Sequence, residues 1–126
     1  GQSAVLGVAD RSIRLLHDVT ADRPAADAAQ RLADELAAIW RRDDELVAAH
    51  PRANTEAHNE ADIATASDHR AACLGLAQRA TTALLAATGG RGMDLGHPAQ
   101  RLAREADFYV IQAQTADGRA ATLRSI

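Results

Sequence analysis

Lysine is absent from this chain, and all 14 of its basic residues are arginines. Set against 17 acidic residues they leave a formal net charge of −3, with both signs interleaved along the whole length. No basic stripe forms, so nucleic acid is not an expected partner. The uniform use of arginine reads as a codon bias of the source, without functional meaning. Aromatic residues make up 2% of the chain: one Trp, one Tyr and one Phe. Three rings cannot fill the interior of a β-sandwich or barrel. The single cysteine, Cys73, excludes an intrachain disulfide and fits a reducing cytoplasm. Its neighbours Ala72 and Leu74 suggest a buried, inert thiol. No apolar run approaches the ~20 residues that span a bilayer. The start has neither the basic segment nor the apolar stretch of a signal peptide. The expectation is a soluble, cytoplasmic protein with no membrane partner.

Alanine is abundant within a hydrophobic fraction of 47%. It is the strongest helix former and lets helices pack closely, so the composition predicts an all-helical protein. At 126 residues the chain is one domain by length. Spacings of three and four place Val5, Val8, Ala9, Ser12, Leu16 and Val19 on one face of a first helix, from about Ser3 to Thr20. Asp22 caps a second helix, with Pro24 in its first turn. Its inner stripe reads Ala28, Leu32, Leu36, Ile39, Asp43, Leu46, widened by Trp40, and it ends at His50-Pro51. Residues 51–59 read as a loop. A third helix spans about Glu60 to Thr88 with an inner face of Ile63, Ala66, Cys73, Leu74, Ala77, Thr81, Leu84 and Leu85. Gly89-Gly90 stops it. After a loop from Arg91 to His97, Pro98 opens a last helix running to about Leu123. It buries Leu102, Ala106, Tyr109 or Val110, and Ala113, and is weakened at Gly118. Four helices with short connections predict an antiparallel up-down four-helix bundle.

Few residues point to chemistry on their own. His58, Glu60, Asp62, Asp68 and His69 read as a solvated helix start, because no metal-ligand repeat is present and no metal is expected. Asp43-Asp44-Glu45, flanked by Arg41 and Arg42, read as a salt-bridged helix surface. Trp40 reads as a core or interface anchor. Ser67, Asp68 and His69 are adjacent on a helix, so their side chains diverge by about 100° and form no triad. Gly89-Gly90-Arg91-Gly92 follows no strand, so it is neither a P-loop nor a dinucleotide fingerprint.

The run from Gly89 to Thr115, GGRGMDLGHPAQRLAREADFYVIQAQT, has an order of its own. A Gly-Gly-x-Gly corner precedes a loop, a Pro-opened helix and then Arg101-x-x-Arg104-Glu105-Ala106. This resembles the last helix–loop–helix of the acyl-CoA dehydrogenase flavoproteins, with their G-G-x-G, Pro, R-x-x-R-D-A order. Ala4-Val5-Leu6-Gly7-Val8-Ala9 is similar to the family's L-G-[IV]-A opening. Gln30-Arg31-Leu32-Ala33-Asp34 is similar to its Q-x-x-L-A-[DE] stretch, with the Gln displaced by one position. Together these cover the family's carboxy-terminal helical domain. The resemblance implies a single bundle, 1–126, belonging to a larger FAD-dependent enzyme or remaining from one. That enzyme would oxidise the CH–CH group of acyl thioesters. It implies subunit association, as a homodimer or homotetramer or with a paired dehydrogenase subunit. It places Gly89 and Gly90 at the FAD of a neighbouring subunit and Thr115, the threonine of a Y-E-G-T motif, near the cofactor. Arg104 with Glu105 matches a structural ion pair.

The departures from that pattern matter as much. The family's base is the Glu of Y-E-G-T, and the matching residue here is Ala113, which takes no proton. Ala86 stands where many relatives carry a Gln that contacts FAD. The family's R-x-x-F-G loop has no counterpart between Val19 and Gln30. By itself the chain is therefore expected to be inactive and not to retain FAD. The alternatives are a non-catalytic helical dimerisation module and, third, a domain of a flavin-dependent monooxygenase.

Overall fold

The computed structural model describes residues 1–19, 22–49, 59–112 and 114–126. Five α-helices account for nearly all of them: α1 (Ser3–His17), α2 (Arg23–Ala49), α3 (Glu60–Thr88), α4 (Pro98–Ile111) and α5 (Ala116–Ser125). A short 3-10 turn, Gly89–Met93, follows α3. No strand occurs among the described residues.

Helix starts follow local chemistry. Asp22 accepts the Ala25 N–H at 3.1 Å and opens α2. Asn59 does the same for Asp62 at 2.8 Å, ahead of α3. His97 caps α4 through Nδ1, which accepts the Ala99 N–H at 3.1 Å, and Pro98 takes the first helical position. Thr115 caps α5, its Oγ1 accepting the Gly118 N–H at 3.0 Å. The predicted single last helix is thus two. α4 ends at Ile111 and α5 begins at Ala116, so the break falls short of the weak point expected at Gly118. A capping threonine outweighed a continuous apolar pattern there.

α3 is the axis of the molecule. Its buried residues, Ala71, Cys73, Leu74, Leu76, Ala77, Ala80, Thr81, Leu84 and Thr88, wrap more than half of the helix circumference. It therefore touches every other helix, whereas α2 and α4 lie on opposite flanks without contact among the described residues. α1 is the second inner helix, burying Leu6 and Ile13 as well as the predicted Val5, Val8, Ala9, Ser12 and Leu16. Glu35 meets Arg79 while Asp43 meets His69, so α2 and α3 run in opposite directions. The first third of α3 lies outside the core: Ile63 and Ala66, expected inside, are exposed. α5 packs on α3 and buries Gly118 and Ala121.

Two glycines at the end of α3 are structural. Gly89 has φ 57°, a backbone state that disfavours side chains, and its N–H bonds the Leu85 carbonyl to close the helix. Gly92 is buried, and a Cβ there would lie 2.3 Å from Thr88 Oγ1. That hydroxyl is fixed by donating to the Leu84 carbonyl at 2.8 Å. Of the loop expected over residues 51–59, positions 51–58 lie outside the described part of the chain, as do His50 and Ala113.

Two outcomes follow. Gly92→Ala should destabilise the protein by about 1–3 kcal/mol in urea unfolding. Combining it with Thr88→Ala should cost less than the sum of the two single changes. The second outcome concerns the Glu35–Arg79 pair, at 2.8 Å through Nη1. Hydrogen bonding to Arg79 holds the Glu35 carboxyl below the usual carboxylate range. A depressed folded pKa contributes stability above the unfolded pKa of about 4.3, and this is lost as pH falls through the folded value. Because both side chains are more than a third exposed, the pair is worth less than about 1 kcal/mol. Arg79→Met should lower stability by that amount at pH 7, and the difference from wild type should vanish as pH falls below the unfolded value of about 4.3 and through the lowered folded value.

Candidate functional site

The residues singled out in the sequence fall at two ends of α3. Gly89 and Gly90 are exposed at its carboxy end, and no side chain stands within 4 Å of where either Cβ would be. Thr115 lies at the other end, on a small cleft of about 180 Å³ lined by Gln2, Ala66, Ser67, Arg70, Gln114, Thr115 and Gly118. The 19 residue steps from Arg70 to Gly89 separate the two places by roughly 28 Å. Within one chain they do not share a small ligand. The resemblance itself assigns the glycine corner to a neighbouring subunit's cofactor. Ala113 is outside the described residues.

Beside Thr115 lies a polar cluster that the sequence reading missed. Asp43, expected on a solvated surface, is only 4% exposed. Its carboxylate accepts the Gln2 backbone N–H at 3.0 and 3.1 Å and faces His69 Nε2 at 2.9 Å. Asp43 thereby provides from α2 the cap that Gln2 does not give α1. His69, expected at a solvated helix start, is buried to 7% of its side chain by this pairing. Asp44 and Glu45 stay exposed as predicted. The available signal was the stripe itself: Asp43 continues Leu32, Leu36 and Ile39, and a charge on a core stripe requires a partner.

Arg70, next to His69, turns the other way. Its Nη1 donates to Gln2 Oε1 at 2.9 Å, and its Nη2 donates to the Tyr109 and Gln112 carbonyls, both at 3.1 Å. A cation on the last carbonyls of α4 satisfies orphan acceptors and complements the helix dipole. Consecutive residues of α3 thus fasten α1 and α2 on one side and α4 on the other.

Cys73 Sγ lies 3.6 Å from His69 Nε2, the same nitrogen that faces Asp43. In a nucleophilic triad the imidazole uses its two nitrogens for different partners, so this arrangement relays no proton. Burial, and then the nearby Asp43 charge, push the Cys73 thiol up to about 12. The thiol is therefore protonated and enclosed. Among the described residues no group of three His, Cys, Asp or Glu side chains could hold a metal ion. No helix there is long and apolar enough to cross a membrane.

The Arg104–Glu105 match is rearranged. Glu105 binds Arg101 at 2.8 Å and Arg11 of α1 at 3.2 Å, while Arg104 donates to Gln100 at 2.8 Å. Adjacent helical residues diverge, so Glu105 pairs one turn back and across to α1 instead. No family model, curated protein or solved structure matches the chain.

Removal of the Asp43 carboxylate should leave the Gln2 N–H and the imidazole without an acceptor. Asp43→Ala should therefore cost about 2–4 kcal/mol. Hydrogen exchange should show protection lost first in the opening turn of α1. A substitution cost below about 0.5 kcal/mol would mean that the cluster is not a fastening.

Proposed function

We propose that the chain is the carboxy-terminal helical domain of an acyl-CoA dehydrogenase-like flavoprotein. In this reading α1 to α4 form its antiparallel four-helix bundle, with α5 added on α3. The domain contributes subunit association and the rim of an FAD pocket through Gly89, Gly90 and Thr115. The base that removes the substrate proton lies elsewhere, since Ala113 holds its usual place.

One observation carries the reading: the sequence of local structures from α3 onward. A glycine with positive φ ends a long helix, Pro98 opens the next, that helix ends at Ile111, and Thr115 caps the one that follows. The Y-E-G-T motif has a glycine just before its threonine, which is a turn signal. Here the break between α4 and α5 falls at the same place, with Gln114 in the position of that glycine. The second reading, a non-catalytic association module, draws on Phe108 and Ile111. They are 53% and 72% exposed, three residues apart on α4. The flavoprotein reading includes association as a dimer or tetramer or with a paired subunit, and the second reading includes dimerisation.

The intact mass and visible spectrum of the native protein, purified from its source, separate them. The flavoprotein reading expects a polypeptide or complex well above 13.3 kDa, with flavin bands at roughly 370 and 450 nm. A native 13.3 kDa chain without flavin leaves only the association module.

A further inference from the structure

The cleft beside Thr115 presents more apolar than polar surface, and its polar groups gather around one cation, Arg70. Arg70 makes hydrogen bonds only to neutral acceptors, the Gln2 amide oxygen and the Tyr109 and Gln112 carbonyls. Among the described residues no carboxylate lies within 4.0 Å of its guanidinium. Asp43, the buried acid of the neighbouring cluster, is committed to Gln2 and His69. Three of the five guanidinium N–H groups are used, which leaves two for another acceptor. Ser67 and Gln114, which also line the cleft, have no side-chain hydrogen bond among the described residues. Thr115 Oγ1 accepts the Gly118 N–H but retains its own O–H to donate. α1, α3 and the turn before α5 thus bring together a half-buried cation, two hydroxyls and an amide, with no anion among them.

We infer that this cleft binds a tetrahedral oxyanion, either free phosphate or a phosphate group of a nucleotide. The volume of about 180 Å³ admits one such group, but lies below the ~300 Å³ of pockets that enclose whole drug-sized ligands. A nucleotide would leave its base and sugar outside the cleft. The positive charge and hydroxyl donors match the requirements of phosphate recognition, in which charge-assisted hydrogen bonds carry most of the affinity. The site is separate from the glycine corner and shares Thr115 with the flavoprotein reading, but it is argued from Arg70 and Ser67 without that reading.

The test is a titration of the 126-residue chain with sodium phosphate at constant ionic strength, followed by ¹H–¹⁵N NMR. Expected are saturable shifts at Ser67, the Arg70 side chain and residues 114–118, with a Kd of about 1–10 mM. Arg70→Met would also remove the cap of α4, so the diagnostic variant is Ser67→Asp, which sets a carboxylate in the cleft. It should keep its helical circular dichroism and bind phosphate at least about tenfold more weakly. ADP or FAD producing the same shifts at lower concentration would identify a nucleotide phosphate. The same shifts with inorganic phosphate alone would identify a free oxyanion and count against the flavin reading, leaving the site intact. No saturable shift up to about 50 mM, or equal affinity in folded Ser67→Asp, would overturn the inference.

Discussion

A buried carboxylate holds the open end of this molecule together. Asp43 is one charge inside a small core, and such a charge is tolerated only where donors surround it. Those donors are the backbone of Gln2 and the ring of His69, so α1, α2 and α3 must meet at one point for the charge to be accommodated. Leucine and alanine faces can slide past one another by a turn with modest loss. A carboxylate with partners on two other elements cannot, because any slip leaves three polar groups unsatisfied. The register of the helices is thus fixed by polar chemistry, while the mass of the stabilisation comes from burial of Leu6, Leu16, Leu74, Leu76, Leu84 and Leu102.

The division between readable and unreadable features follows the range of the interactions involved. Caps act within one turn, and Asp22, Pro98 and the glycines after Thr88 marked their boundaries correctly from sequence. The inner stripe of α1 was equally plain, because apolar spacing of three and four needs no partner to be recognised. Long-range pairing was hidden. Asp43 was grouped with its acidic neighbours, and His69 with the polar start of α3, because adjacency in the chain suggested a common environment. On a helix, adjacent residues face different worlds. Asp43 points inward while Asp44 and Glu45 point out.

The misplacement of Ile63 and Ala66 has a different cause. Their spacing was right for an inner face, but α3 is longer than the helices beside it. α1 begins at Ser3, next to the level of His69 and Arg70, so the residues of α3 before that level have no α1 to meet. Periodicity reports which side of a helix is apolar, and it is silent on how far along that side a partner extends. The division of the last helix belongs to the same class. The pattern of apolar residues ran on, yet Thr115 offered a local cap and the chain took it. Of the candidate site, Gly89 was legible as punctuation, whereas Thr115 was singled out by resemblance alone and its capping role went unread. Arg70 was not legible, since nothing in its neighbourhood announces that it will reach the carbonyls of a helix 39 and 42 residues away.

The way α5 is attached has a consequence for the energetic hierarchy of the molecule. Its buried contribution is a glycine and an alanine, and its charged link, Arg124 to Asp68 at 3.6 Å, is two-thirds exposed on both sides. Contacts of that kind contribute little, so α5 is a cooperative unit with an opening free energy well below that of the α1–α3 core. Its excursions would bare the first third of α3 while leaving the leucine core closed. The molecule therefore has a built-in order of disassembly, in which its carboxy-terminal segment is the first element to become available to solvent, proteases or another chain.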